Sequence, residues 1–587
     1  MNRNLISWLV VAGVFSFAVG CGGGSAGDSD AEDGFGGEDA ANTGGEDGAT
    51  GGEDASSGGN GAGANAGGDG AGASTGGNGA GAGASTGGSD PGNSGGGGGS
   101  SPPVTVDCTH VGSGTDYQVG PGKAYENIGD VPFESLVAGD TVRIFHRAEP
   151  YREKMMIAGV GTADQPVRVC GVAGPNGELP VIDGNGATTR PQMDFPFNGH
   201  QPRGLIIIGH AHDRPYEEQP SHIVVEGLEL TGASPENTFT DKSGAATTYG
   251  PAAAGIFVQR GDDITVRGCA IHENNNGIFM GTGSGVDATR RVLIEANHIY
   301  LNGSLTDFFE HNVYNEVEGI TYQFNHFGRP RAGANGVVNG ANIKDRSAGT
   351  VIRYNWIEDG GHLIDLVEAQ EAKAATLAMP SFHESFVYGN VLVRNGTQDG
   401  SMVHYGGDSG TVSDYRKGTL RFYQNTVVVK NAGAAAYDRP AVFELSTNDE
   451  HLEATNNIFF STQAGTELSP IVMLGRRDGV TSGIATFTTN WVSPGWTPWD
   501  QTPGTETQNV ATAAGLPSPI GGTDPGFTNA ASDDYTLKSG APVIGVGTDL
   551  ASSIPPDLAV TLQYAAPQHA VPRAAESPAT LGAMGAP

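Results

Sequence analysis

The stretch NIKDRSAGTVIRYNWIEDGG, residues 342–361, contains the signal that sets the fold. Its tetrapeptide YNWI has relatives along the chain: ANHI, FNHF, GNVL, QNTV, NNIF and TNWV. Their asparagines are Asn297, Asn325, Asn355, Asn390, Asn425, Asn457 and Asn490, separated by 28, 30, 35, 35, 32 and 33 residues. A repeat of that length marks a solenoid or a propeller. Asparagine tolerates the left-handed backbone region, and an Asn stacked at a bend can bond the rungs above and below it. No Asn-Gly hairpin signal recurs in register, as four-stranded blades would require. The expected fold is therefore all-β, a right-handed parallel β-helix.

The same rungs hold a second alignable strand, which reads in order GIFVQ, GIFMG, NVYNE, NIKDR, LIDLV, MVHYG and VFELS. The second position is aliphatic, or Phe443 in the last rung, and should point into the coil. The third position then faces outward, because side chains alternate along a strand. Stacked at about 4.8 Å per rung, these residues form a column: Phe257, Phe279, Tyr314, Lys344, Asp365, His404 and Glu444. The fifth position also faces outward, with Gln259, Gly281, Glu316, Arg346, Val367, Gly406 and Ser446. A solvated sheet face usually carries Thr, Ser and Asn. This one concentrates aromatic and titratable groups, the pattern of a binding groove. The plainer reading is that Lys344 and Arg346 make cross-strand ion pairs with Asp365 and Glu316.

The chain as a whole is acidic, with a formal charge of −34. Nucleic acid is thus excluded as a natural partner. Between Gly22 and Pro103 there are twelve acids and no Lys or Arg. This Gly-, Ala- and Asp-rich segment cannot bury enough apolar surface to fold, and reads as a flexible linker over 21–103. Residues 1–20 read as an export signal, with Arg3 ahead of the apolar run LISWLVVAGVFSFAVG. The ending FAVGC resembles a bacterial lipobox, which implies cleavage after Gly20 and a lipid on Cys21. The resemblance makes the protein an exported lipoprotein tethered to the outer membrane, in the periplasm or at the cell surface. Of the other cysteines, Cys108 and Cys170 could pair, and Cys269 reads as a buried core thiol. The β-helix is expected over 104–550, and the Pro- and Ala-rich tail over 551–587 is expected to be disordered. A monomer is expected.

At the level of motifs, residues 311–369 resemble the lysine-bearing rung of β-helix polysaccharide lyases of the chondroitinase B and alginate lyase type, with a pectate-lyase-like coil. GPGKAYENIGDVPFESLVAGDTVRIF, residues 120–145, resembles the start of such proteins and implies a short amphipathic capping helix. DYTLKSGAPVIGVG, residues 534–547, resembles their closing rung. The resemblance implies β-elimination on a uronate-containing polysaccharide: a base removes the proton α to the carboxylate and fixed cations neutralise the enolate. Lys344 matches the base position. At about 7 Å, Arg346 repels its charge by about 2.4 kcal/mol at an effective dielectric of ~20. That lowers an amine's pKa by almost two at most, and Asp365 works against it. Tyr314 or His404 would protonate the leaving oxygen. His311, Glu316, Asp365, Phe279 and Glu444 would contact substrate. Those lyases hold calcium with carboxylates just before the lysine, whereas here the stretch NGVVNGANI has none; no cofactor is assigned and calcium is unmatched. The arginine of their following strand is also missing from HLIDLVEA.

Two other classes stay open. A glycoside hydrolase would use Asp365 with Glu316 or Glu444 as its two carboxylates, although the Asp-Asp motif of β-helix pectin hydrolases is absent and Gly407-Asp408 does not supply it. A non-catalytic glycan-binding surface protein would need the aromatics but not the Lys-Arg doublet. The fifteen histidines show no HExxH spacing for a catalytic zinc.

Overall fold

The computed structural model describes residues 106–587, apart from 194–197, 334–335, 339, 396–399, 431–440, 463–470, 477–483, 500–512 and 515–519. The export signal, Cys21 and the linker therefore lie outside the described residues. Among the described residues the chain winds through three parallel sheets, one of thirteen strands and two of eleven. One turn of the coil runs from Ile343–Asp345 in the column sheet to Ala348–Arg353 in the thirteen-stranded sheet. It continues to Trp356–Glu358 in the third sheet and returns to the column sheet as Ile364–Leu366. This is a parallel β-helix, as the repeat spacing predicts.

The interior is filled by the inward positions. Ile256, Ile278, Val313, Ile343, Ile364, Val403 and Phe443 are all fully buried in one continuous core. The asparagine ladder is continuous too. Each of Asn297, Asn325, Asn355, Asn390, Asn425 and Asn457 gives its side-chain and backbone N–H to the side-chain oxygen of the next, ending at Asn490. Cys269 occupies the same place one rung earlier, its N–H donating to Asn297 Oδ1 at 3.0 Å. A second ladder, Asn274–Asn302–Asn312–Asn342, lines the return to the column sheet.

One detail corrects the sequence reading. The left-handed residue at the bend is not the ladder asparagine but the residue before it: Ala296, Phe324, Tyr354, Gln424 and Thr489 all have φ between 50° and 59°. That residue turns the chain, which frees the asparagine to point inward and bond its neighbours.

Both ends of the coil also depart from expectation. In place of an amphipathic helix, the start is the strand Asp116–Val119 followed by two 3₁₀ turns, Ile128–Asp130 and Phe133–Ser135. Ile128, Val131, Phe133 and Leu136 plug the core from there. Gly129 and Pro132 break up any longer helix. Cys108 and Cys170 form a disulfide, and Cys269 is a buried thiol.

The expected closing rung is instead an antiparallel hairpin, Phe527–Asn529 with Asp534–Leu537. The tail expected to be disordered is ordered, with a second hairpin, Leu562–Ala565 with His569–Pro572. Both pack on the outside of the coil. Tyr535, Leu537, Val543, Leu581 and Met584 cover Val391, Val393, Val428, Ile458 and Phe460, while Leu558, Val560 and Leu562 lie on Tyr354, Tyr388 and Tyr423. Those strands are apolar on both faces, so their outer face requires a cover.

Candidate active site on the column sheet

Strand pairing places the column as the repeat predicts. Phe257 pairs with Phe279, Phe279 with Tyr314, Tyr314 with Lys344, Lys344 with Asp365, Asp365 with His404 and His404 with Glu444. The aromatic half is a stack. Phe279 lies 5.6 Å from Phe257 and 4.8 Å from Tyr314, the latter within 6° of parallel. Phe257 is buried, while Phe279 and Tyr314 are half-buried. Glu444 ends the column, half-buried.

Beyond Tyr314 the charges begin, and they are paired. Lys344 Nζ donates to Asp365 Oδ2 at 2.8 Å and to Asp408 Oδ2 at 2.9 Å. Arg346 donates through Nε to the Tyr314 hydroxyl at 2.9 Å and through Nη1 to the Glu368 backbone oxygen at 2.8 Å, with Glu368 Oε1 at 3.1 Å. Glu368 Oε2 in turn accepts the Asp408 N–H at 2.9 Å. Lys344 is 8 % exposed and Arg346 6 %, both roofed by the segments that bring Glu368 and Asp408.

This pairing decides the contest between Arg346 and Asp365 over the lysine's charge. Burial works against its charge, but Asp365 and Asp408 outweigh both that and the repulsion from Arg346, so its pKa is raised. Lys344 is a fixed cation in the free protein, not a ready base. Burial would likewise raise Asp365, yet Lys344, His362 and His404 hold it well below the usual carboxylate range. Asp408 shows the same contest, burial against Lys344, and titrates at about 2. Its side chain is 36 % exposed where that of Asp365 is 3 % exposed, so Asp408 is the displaceable partner. Tyr314 is raised by burial against the pull of Arg346, so it is a neutral phenol, and its hydroxyl donates to Gln370 Oε1 at 2.9 Å.

Other expected site residues take different roles. Glu316 is not placed for substrate: its carboxylate accepts the N–H groups of Gln370, Glu371 and Ala372 at 2.9 to 3.2 Å and anchors the segment that roofs Arg346. His311 is buried against Tyr314, ring centroids 5.9 Å apart. Its Nδ1 accepts the Ala341 N–H at 2.9 Å, so its proton sits on Nε2. Burial first, then Lys344, push its pKa to about 3, and it stays uncharged. His404 is buried, with Nδ1 2.7 Å from Asp365 Oδ1 and Nε2 2.7 Å from Ser446 Oγ. Both of its ring nitrogens are thus engaged within the protein.

Sequence reading missed Asp408 and Glu368, which sit outside the repeating strands and carry no register signal. Ser446 stood in the fifth-position row but without a partner to mark it. For metals, His362, Asp365 and His404 present ligand atoms within 4.8 Å of one another. Both oxygens of Asp365 and both ring nitrogens of His404 are already engaged by Lys344, His404, Asp365 and Ser446. Calcium does not fit either, since the nearby carboxylates Asp365 and Asp408 are turned onto an ammonium.

No protein-family model matches the chain, and no curated protein matches it by sequence. Solved structures similar to it include an alginate lyase from Paenibacillus sp. str. FPU-7, with TM-score 0.33, 14 % identity, and 54 % of this chain and 87 % of that one covered. Pectate lyase Pel9A gives TM-score 0.40 and 11 % identity over 80 % of this chain and 96 % of its own. DFA-IIIase from Arthrobacter chlorophenolicus A6 gives TM-score 0.31 and 11 % identity, covering 64 % and 88 %. The likeness is one of coil architecture, and the fold of this chain rests on its own strand pairing.

Proposed function

We propose that the protein is an exported, lipid-anchored β-helix enzyme that cleaves a uronate-containing polysaccharide by β-elimination along the column face. One observation carries the reading. Tyr314 stands where the aromatic stack meets the cations, its ring on Phe279, its hydroxyl bonded to Arg346 and its strand partner Lys344. A sugar ring stacks on the half-exposed Phe279–Tyr314 pair. Its carboxylate takes the place of Asp408 on Lys344, and Lys344 with Arg346 neutralises the enolate dianion as it forms. Asp408, released from the ammonium that holds it at about 2, rises towards the ordinary carboxylate range and accepts the α proton. The neutral phenol of Tyr314 protonates the leaving glycosidic oxygen. This exchange of carboxylates is needed because Asp365, Asp408 and Glu368 outnumber the two cations. The lipobox-like FAVGC and the linker after it supply the anchor in this reading.

A hydrolase is favoured by one fact: Asp365 and Asp408 touch the same nitrogen at 2.8 and 2.9 Å, which puts their oxygens less than about 6 Å apart, near a retaining pair. Both carboxylates are held ionised, however, and neither is available as the acid. The test is to incubate the protein with alginate, pectate, hyaluronan and chondroitin. Ultraviolet-absorbing unsaturated ends are expected, with loss of about 10²- to 10⁴-fold in Tyr314→Phe and Asp408→Asn. New reducing ends without that absorbance would establish the hydrolase, binding without cleavage a glycan-binding protein. Full activity in both variants would remove the mechanism.

A further inference from the structure

The elimination reading leaves one hydrogen-bonded chain unused. Asp365 Oδ1 lies 2.7 Å from His404 Nδ1, and His404 Nε2 lies 2.7 Å from Ser446 Oγ. Ser446 Oγ also accepts the Gly407 N–H at 2.9 Å. A hydroxyl that accepts from the backbone still has one proton to give, and the imidazole is in its path. Asp365 is held ionised and can only accept, so Nδ1 carries a proton, and in the neutral imidazole Nε2 is the acceptor that faces Ser446. The three groups come from successive rungs: Ile364–Leu366, Val403–Tyr405, and the residue that follows Ala441–Leu445. The polarity runs serine to histidine to aspartate, which is what an activated hydroxyl nucleophile requires.

A buried polar network would be satisfied by the same contacts, so what surrounds the serine matters. Ser446 is 5 % exposed. The atoms above it belong to Gly406, whose φ is +138° and where a Cβ would sit 2.5 Å from Ser446 Oγ. The glycine backbone thus packs close to the hydroxyl on one side, with the His404 ring on another, and residues 408–413, which follow Gly406 and Gly407, are exposed. This is the same segment that lends Asp408 to Lys344.

We infer that Ser446 is a nucleophile, activated by His404 and oriented through Asp365, that hydrolyses O-acyl esters. That the ester is borne on a polysaccharide rests on the function proposed above; the nucleophile itself does not. Ser446 Oγ attacks the carbonyl carbon while its proton passes to His404 Nε2, and the Gly407 N–H steadies the oxygen beforehand. The C–O bond to the alcohol breaks, and the alcohol leaves with that proton. Water, deprotonated by the same imidazole, then releases the acid and restores the serine.

The test uses the full folded chain with two probes, a fluorophosphonate and p-nitrophenyl acetate. A covalent adduct on Ser446, located by peptide mass spectrometry, is expected, together with ester turnover that falls by about a thousandfold or more in Ser446→Ala. Turnover should also fall on the acid side as the imidazole protonates, a pH profile that a merely structural network would not produce. An unlabelled Ser446 in the folded protein, or wild-type ester turnover in Ser446→Ala, overturns the inference. Should Ser446→Ala fail to fold, labelling of the unsubstituted chain decides. The readout is separate from unsaturated-end formation, so failure of either function leaves the other standing.

Discussion

Replacing Lys344 by methionine removes the ammonium and keeps most of the side-chain volume. Asp365 then remains 3 % exposed with its charge opposed by no cation at bonding distance; His404 still contacts its other oxygen. Removing one partner of a buried ion pair costs about 3–5 kcal/mol, because the remaining charge is stranded. Asp408 adds little, being free to turn into solvent. The loss should depend on pH in a defined sense. In the wild type, the depressed pKa of Asp365 contributes stability that is present above the unfolded carboxylate value and is lost as pH falls through the folded one. The raised pKa of Lys344 contributes stability that is present below its unfolded value and is lost only as pH rises through the folded one. In Lys344→Met burial acts on Asp365 without the ammonium, so the gap between variant and wild type is widest near neutrality and closes on acidification. Equilibrium urea unfolding at a series of pH values measures this. The double variant with Asp365→Asn should recover about 1–3 kcal/mol of the summed single losses. A Lys344→Met protein within about 0.5 kcal/mol of wild type at pH 7, or no coupling to Asp365→Asn, would refute the claim that Lys344 serves as the counter-ion that holds Asp365 ionised. It follows that lost turnover in a lysine variant does not by itself identify a base.

Asn355→Ala interrupts the ladder. It removes the side-chain partner of the Asn325 N–H and of the Tyr322 carbonyl, whereas Asn390 keeps the backbone N–H of residue 355; at about 1–3 kcal/mol for each buried group left unpaired, a loss of at least about 2 kcal/mol is expected in the same unfolding assay. Reduction of Cys108–Cys170, which closes a 62-residue separation, should cost about 4 kcal/mol on chain entropy, seen as a lower urea midpoint in the presence of reductant while the column sheet stays folded.

How far the chain could be read differs between residues that repeat and residues that do not. The ladder asparagines and the column from Phe257 to Glu444 were legible because each recurs at the coil period, and in a parallel sheet register converts sequence position directly into neighbourhood. The pairing of Tyr314 with Lys344 and of Lys344 with Asp365 follows from that alone. The left-handed residue before each asparagine was misplaced by one, since its identity varies among Ala, Phe, Tyr, Gly, Gln, Asn and Thr and carries no common signal. Asp408 and Glu368 were missed because they enter from segments outside the register. Asp408 joins Asp365 in raising the Lys344 pKa against burial and Arg346, a balance the sequence left open, and Glu368 pairs with Arg346. The ordered tail was misread from its Pro and Ala content. Its cue lay in the strands it covers, where Val391, Val393, Val428 and Phe460 make outer as well as inner positions apolar.

Local sequence thus determined the coil, the order of its rungs and the list of side chains on the column face, since hydrophobic alternation and period leave one way to stack these strands. Whether those side chains are free or paired, charged or neutral, was settled by the folded chain. Electrostatic state depends on distances of a few ångströms to groups far away in sequence, such as the 64 residues between Lys344 and Asp408, and on how much water the packing removes. Periodicity encodes neither.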